Sequence, residues 1–288
     1  MTRTRLLAAL VMTPLAIAAI LLLPTPWLAV LGAVLFLGGL WEWLRLAEVE
    51  DTLARTLLLV LNLLLMVAMV WASRTASGGS LVLFQIASVV GVGWWLLAVL
   101  WLRAYGFGSD HDSGARVAKL AAGTLAVVPA WCALVLVHAS DPTPSVWGAL
   151  IPKGHLWLLT ALMIVWAADT GAYFAGRKFG RHKLSPRISP NKTVEGLAGG
   201  ALAGIVVGVA GGALVGTPVD RLPAIALVAL LVVLASVVGD LFESLLKRHA
   251  GVKDSGDLIP GHGGLLDRMD SVLAALPVFA LAKEWLGL

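Results

Sequence analysis

The chain has 288 residues, of which 59% are hydrophobic and 13% charged, with 21 Lys and Arg against 17 Asp and Glu for a net charge of +4. A soluble core cannot hide that much apolar surface, and a lone cysteine, Cys132, rules out a disulfide or a thiolate metal cage within the chain. The modest positive balance fits the topology of a membrane protein beside an anionic-lipid surface and needs no nucleic-acid partner.

Repeated apolar runs of roughly 18–25 residues predict membrane-spanning helices. In chain order the expected spans are 6–23, 27–44, 56–73, 81–102, 117–138, 155–175, 197–217, 222–246 and 265–286. No stretch of about ten residues alternates in polarity, so the expected class is an all-α, polytopic integral membrane protein of about nine helices and not a β-barrel. Arg3 and Arg5 before the first apolar run resemble a signal peptide, but the run is long and Pro24-Thr25-Pro26-Trp27 follows without a small-residue cleavage site, which favours a retained anchor.

With the amino terminus placed inside, most of the cations fall in inside segments. Arg74, Lys153, Arg221 and Lys283 remain outside, whereas Arg45, Arg55, Arg103, Arg116 and Lys119 join two larger inside clusters at 177–192 and 247–268. The chain divides into N-terminal helices, 1–150, and a region, 151–288, where the chemistry concentrates, the two forming one membrane-embedded unit. Of the 12 tryptophans, Trp27, Trp41, Trp43, Trp101, Trp147, Trp157 and Trp285 lie near expected span ends and read as interfacial anchors. Cys132, mid-span, reads as a core residue. Glu42, between Trp41 and Trp43, is explained by snorkelling to the interface, with approach to a site as the other possibility, while Asn62, Gln85 and His138 read as helix–helix hydrogen-bonding groups.

The first polar island is Trp166–Gly196, WAADTGAYFAGRKFGRHKLSPRISPNKTVEG. Asp169, Tyr173 and Gly176 fall at i, i+4 and i+7 on one helix face, followed by Arg177, Lys178, Arg181, Lys183, Arg187 and Lys192. Ser189, Asn191, Lys192 and Thr193 offer donors suited to a triphosphate, with Glu195 just beyond, and Arg177, Arg181 and Lys183 suit a second, lipid-borne phosphate. A plain orientation signal or anionic-lipid tether is the alternative for this basic loop.

The second island, Ser244–Asp270, reads SLLKRHAGVKDSGDLIPGHGGLLDRMD and is preceded by Asp240 at the end of an apolar run. Asp240, Ser244 and Lys247 share a helix face, and an ionisable group at the edge of a span points to function, although an ion pair with a nearby Arg or Lys would also account for Asp240. Asp267 and Asp270, at i and i+3, are expected on one side of the first turn of the last span. Carboxylates from two helices, Asp240 and Asp267, suit Mg²⁺, which accepts hard oxygen ligands, waters and substrate phosphates. Glycines in the intervening loop permit close backbone approach, and Lys247, Arg248, Lys253 and Arg268 suit phosphate neutralisation. His262 reads as a turn residue or phosphate donor, with a base as the other reading.

The order Ser244, Lys247-Arg248, Lys253-Asp254, Gly256, Ile259-Pro260, His262-Gly263-Gly264, Asp267-Arg268-x-Asp270 resembles the signature of the phosphatidate cytidylyltransferases, the CDP-diacylglycerol synthases. The D-x-x-A-Y-x-x-G segment from Asp169 and the Ser-Pro-x-Lys-Thr-x-Glu-Gly run from Ser189 resemble the same family. The specific motifs cover 166–196 and 240–270, and 1–150 match in hydropathy alone. The resemblance implies transfer of CMP from CTP to phosphatidate with release of pyrophosphate, Mg²⁺ on Asp240 and Asp267 with K⁺ as a helper, a possible homodimer, and a site facing the cytosol at a bacterial inner membrane. It assigns catalysis to Asp240, Lys247, Arg248, Lys253, Asp267, Arg268 and Asp270. Substrate binding falls to Asp169, Tyr173, Arg177, Arg181, Lys183, Ser189, Asn191, Lys192, Thr193, Glu195, Ser244, His262, Gly263 and Gly264. A CTP-dependent polyprenol or lipid kinase and a membrane transporter are the alternative functions.

Overall fold

A computed structural model describes residues 2–75, 78–145, 148–256 and 263–288. Among these, nine α-helices run in the order α1 (Thr2–Leu22), α2 (Thr25–Leu46), α3 (Thr52–Ala72), α4 (Val82–Arg103), α5 (Ser113–Ala139), α6 (Lys153–Phe179), α7 (Val194–Val215), α8 (Leu222–His249) and α9 (Asp270–Trp285). They match the expected spans closely, and seven of them, α2 to α8, have the length and apolar character to cross a membrane. The last expected span is shortened: 265–269 form a turn with a 3₁₀ segment at Leu266–Arg268, and α9 proper has 16 residues. At about 1.5 Å per residue it falls short of a hydrocarbon core of about 30 Å.

Local chemistry sets several helix starts. Asp51 accepts a hydrogen bond from Leu53 N at 2.9 Å to begin α3, Asp112 accepts from Ala115 N at 2.6 Å to begin α5, and Thr193 Oγ1 accepts from Gly196 N at 3.1 Å to begin α7. Strand structure absent from the sequence reading also occurs. Three short antiparallel ribbons join helices, among them β5 (Lys183–Ser185) with β6 (Ser189–Thr193), which pairs Lys183 with Thr193 and Ser185 with Ser189. The others, β1 (Arg74–Thr75) with β2 (Gly78–Gly79) and β3 (Pro144–Ser145) with β4 (Gly148–Pro152), lie at the opposite ends of their helices.

Two features hold the bundle. The first is a glycine seam: Gly196, Gly200, Gly204, Gly208 and Gly212, four apart along α7, are all buried. A Cβ at Gly200 would lie 2.7 Å from Ala168 O, and one at Gly171 in α6 would lie 2.7 Å from Gly199 O, so the two helices touch backbone to backbone. The second is an aromatic cluster around the fully buried Phe242 of α8, whose ring lies 5.3–6.0 Å from Trp43, Trp94, Trp95 and Trp101. Three of their indole N–H groups find carbonyls: Trp43 donates to Lys119 O at 2.9 Å, Trp95 to Leu273 O at 3.1 Å and Trp101 to Phe107 O at 2.7 Å, whereas that of Trp94 is buried without a partner among the described residues.

This cluster corrects the reading of the tryptophans as interfacial anchors. Trp43, Trp101 and Trp157 are core residues, whereas Trp27 and Trp285 are exposed as expected and Trp147 lies outside the described residues. Cys132 is buried beside Met69, in keeping with a core role. Lys119, expected as a loop cation, is buried in α5 and paired with Glu48 at 3.2 Å. Gln85 reaches Glu284 across α4 and α9 at 3.0 Å, and His138 joins Thr25 and Ile20 O, both interhelical as expected. The described bond of Asn62 runs instead to Leu58 O of its own helix.

The seam gives a direct test. Gly200→Leu should cost about 1–3 kcal/mol or more by forcing α6 and α7 apart, whereas Leu202→Ala, on the exposed side of the same helix, should stay within about 0.5 kcal/mol. Unfolding of both variants in detergent reads the difference, and equal stability would refute backbone contact at the seam.

Candidate functional site

The carboxyl-terminal part of α6, the β5–β6 hairpin, the start of α7 and the end of α8 enclose a cleft of about 580 Å³. Asp169, Tyr173, Gly176 and Arg177 line it from α6, Asn191, Lys192 and Thr193 from β6, and Asp240 from α8. The two polar islands, separate in sequence, therefore meet. Lys192 Nζ forms an ion pair with Asp240 Oδ2, and Ser244 Oγ lies 3.4 Å from Asp240 Oδ1. Both alternatives for Asp240 are thus joined in one place: it has a lysine partner and it faces a cleft. Asp240 also lies within electrostatic reach of Asp169 and Asp270.

The hairpin is anchored at its base. Glu195 Oε2 accepts from Arg181 N at 3.0 Å, its Oε1 faces His182 Nδ1 at 2.6 Å, and Thr193 caps α7 against Gly176 and Gly180. Glu195 and Thr193 therefore shape the loop. Arg181, Lys183, Asn191 and Arg248 are exposed around it, Arg177 Nη1 donates to the Tyr173 hydroxyl at 3.0 Å, and Arg248 Nε donates to Ile188 O at 3.1 Å, joining α8 to the hairpin turn. Ser189 opens β6 and is partly buried.

A second polar cluster lies one helical turn further along α8. Lys247 Nζ donates to Glu243 Oε2 at 2.7 Å and to Asp267 Oδ1 at 2.6 Å. The other oxygen of Asp267 accepts from Ser255 N at 3.1 Å, Ser255 Oγ at 3.0 Å and Gly264 N at 2.9 Å. Burial works against the charge of Asp267, but Lys247 and these N–H donors outweigh it and hold the carboxyl down at about 2. Gly263 has φ of 81°, a left-handed turn that a side chain resists, just before Gly264, which packs on Ser255.

Asp267 stands on the 3₁₀ segment and Asp270 opens α9, so the shared first turn expected for them does not form. A glycine again brings backbones together here: a Cβ on Gly239 would collide with Asp270 O, which places α9 against α8 beside Asp240. Lys253 and Arg268 are exposed near this cluster, and His262 lies outside the described residues.

Two acids were missed or misread. Glu243 is 1% exposed and pairs with Lys247, and its position between Asp240 and Lys247 at i+3 and i−4 was the available signal. Glu42 is also 1% exposed and does not snorkel: its Oε2 accepts from Ser255 Oγ at 3.1 Å and Leu266 N at 2.7 Å.

Because Lys247 serves two carboxylates, Lys247→Met should destabilise the fold by about 3 kcal/mol or more, leaving Glu243 buried without its cation. Adding Glu243→Gln should recover part of that loss in the same denaturation measurement; a double variant no more stable than Lys247→Met would argue against the pairing.

The model of the cytidylyltransferase family matches residues 3–286. The phosphatidate cytidylyltransferase of Pseudomonas aeruginosa is 41% identical over 97% of this chain and 96% of its own length. That of Haemophilus influenzae is 34% identical over 97% of this chain and 98% of its own, and that of Bacillus subtilis is 44% identical over 43% of this chain and 46% of its own.

Proposed function

The chain belongs to the cytidylyltransferase family, and from that premise we propose that it transfers CMP from CTP to phosphatidate, giving CDP-diacylglycerol and pyrophosphate in a bacterial inner membrane. The observation that carries the reading is the meeting of the two polar islands at the Lys192–Asp240 pair, in a cleft lined by further acids and bases. Full-length similarity to two phosphatidate cytidylyltransferases supports the substrate pair.

In this reading an oxygen of the phosphatidate phosphate attacks the α-phosphorus of CTP. A new P–O bond forms as the bond between the α-phosphorus and its bridging oxygen to the β-phosphate breaks, and that oxygen leaves with pyrophosphate. A phosphate monoester has a second pKa near about 6, so the nucleophile is largely dianionic at neutral pH and needs no strong base. Repulsion between two polyanions is the larger obstacle, and positioning with charge neutralisation is the remedy. Lys192 and Asn191 at the cleft suit the triphosphate, while Arg177 at its edge, with Arg181, Lys183 and Arg248 exposed around it, suits the lipid phosphate.

The donor set fits Mg²⁺. Its acids are carboxylates, and among the described residues no three His, Cys, Asp or Glu groups close around a single point as a full protein cage would. Mg²⁺ needs only one or two carboxylates with waters and substrate phosphates, and Asp240 and Asp267 would hold it, each now balanced by a lysine. When bound, the ion supplies polarisation of the phosphates and neutralisation of developing charge. K⁺ as a helper and pairing into a homodimer are carried by the resemblance.

Purified protein given labelled CTP, phosphatidate and Mg²⁺ should form CDP-diacylglycerol and pyrophosphate in equal amounts, whereas release of CDP would favour a lipid kinase. Asp240→Asn and Asp267→Asn should each lower turnover by about 10²-fold or more, and Lys192→Ala should raise KM for CTP more than KM for lipid. Near-normal turnover and Mg²⁺ dependence in either Asp variant would remove the metal assignment.

Orientation is tested separately. In a Cys132→Ser background, cysteines at Gly180 and Gly251 should resist an impermeant thiol reagent in intact cells and react once the membrane is opened, whereas one at Asp141 should react from outside. Outside labelling at Gly180 or Gly251 would separate the site from cytosolic CTP.

A further inference from the structure

Glu42 comes from α2, outside the two motif-bearing islands, in a part of the chain that the family match over residues 3–286 also covers. A buried carboxylate in a membrane bundle costs several kcal/mol unless it is paired, and among the described residues no cation pairs with Glu42. Its bonds run instead to both edges of the segment that carries Asp267. Glu42 Oε2 accepts from Ser255 Oγ at 3.1 Å on one edge and from Leu266 N at 2.7 Å on the other. Ser255 in turn gives its N–H to Asp267 Oδ2, its single hydroxyl proton is shared between Glu42 Oε2 and Asp267 Oδ2, and Leu266 directly precedes Asp267 in the chain.

The surrounding backbone is shaped to this contact. A Cβ on Gly256 or on Gly264 would collide with the Glu42 side chain, and Gly38 and Gly39 of α2 lie against Leu265 and Leu266. Leu266 itself is fully buried. An apolar residue would fill the same space at less cost but would leave Leu266 N unpaired and Ser255 free to turn away from Asp267.

We propose that Glu42 is a positioning residue for the transfer reaction: its carboxylate clamps residues 255 and 266, and so holds Asp267, with Lys247 on its other oxygen, in the orientation that the bound metal and phosphates require. The inference rests on the function proposed above. It makes the N-terminal helices part of the reacting machinery and not only a lipid-facing frame. Its role is reach rather than charge, because both of its partners are neutral donors.

The test uses the full chain in lipid nanodiscs with Glu42→Asp, Glu42→Gln and Asp267→Asn. Asp is one methylene short of serving both donors, so Glu42→Asp should weaken Mn²⁺ binding, followed by EPR, and lower kcat, each by about 10–100-fold, with KM for CTP near that of the unmodified chain. Gln still presents a carbonyl oxygen to Ser255 and Leu266, so Glu42→Gln should keep both quantities within about threefold. Thermal unfolding of each variant checks that the bundle is intact. Mn²⁺ affinity and kcat unchanged in Glu42→Asp, or equally impaired in Glu42→Gln, would overturn the clamp. Asp267→Asn distinguishes the two levels: if it retains Mn²⁺ affinity and turnover, the metal assignment itself fails and takes the inference with it, whereas an inactive Asp267→Asn beside a normal Glu42→Asp sinks the clamp alone.

Discussion

A carboxylate inside an apolar helical bundle must be neutralised, hydrogen-bonded or wetted, because the low-dielectric surroundings offer nothing else to stabilise its charge. The architecture at one end of this bundle follows from that constraint. Asp240 is met by Lys192 from the β5–β6 hairpin, and Asp267 and Glu243 share Lys247. The Lys192–Asp240 and Lys247–Asp267 pairs tie together segments distant in sequence, so the requirement for neutralisation also fixes where the hairpin and the loop before α9 sit. Glu42 meets it on one oxygen, where Oε2 accepts from the neutral donors Ser255 Oγ and Leu266 N, while Oε1 is buried without a partner among the described residues.

Packing elsewhere serves this arrangement. The α6–α7 glycine seam lets two backbones touch, which draws Asp169 on α6 and the hairpin leading into α7 to opposite sides of one cleft. Gly239 does the same for α8 and α9 and brings Asp270 beside Asp240. Around Phe242, next to the paired acids, four tryptophans supply stiffness that loosely packed aliphatic chains would not, and the indole N–H groups of Trp43, Trp95 and Trp101 end on carbonyls.

A reaction between two polyanions asks for cations and an ordered metal site more than for a nucleophilic side chain. The proposed division of labour follows the two polar layers. Arginines and lysines stand exposed on the hairpin and at the end of α8, where soluble nucleotide and lipid headgroup can both approach. Beneath them the carboxylates are held by lysines and backbone N–H groups, so little reorganisation is left for the moment of reaction.

Hydropathy alone fixed the helices, since apolar runs of membrane-spanning length have almost no other stable outcome, and α1 to α8 fall where those runs lie. Asp169, Lys192, Asp240, Lys247 and Asp267 were legible too, because charges are few in this chain and their spacing is that of a known family. What no local pattern encodes is partnership across the bundle. Lys192 meeting Asp240, Lys247 bridging Glu243 to Asp267, and Glu42 reaching Ser255 each join residues brought near only when helices pack. The tryptophans were misread for the same reason: an aromatic near a span end faces lipid headgroups or the core according to its neighbours on other helices, and Trp43 finds Phe242 there. The sequence by itself determined which segments enter the membrane and which residue types carry the chemistry, because both depend on local composition; only the tertiary structure decided which charge neutralises which, because that depends on distances between separate helices.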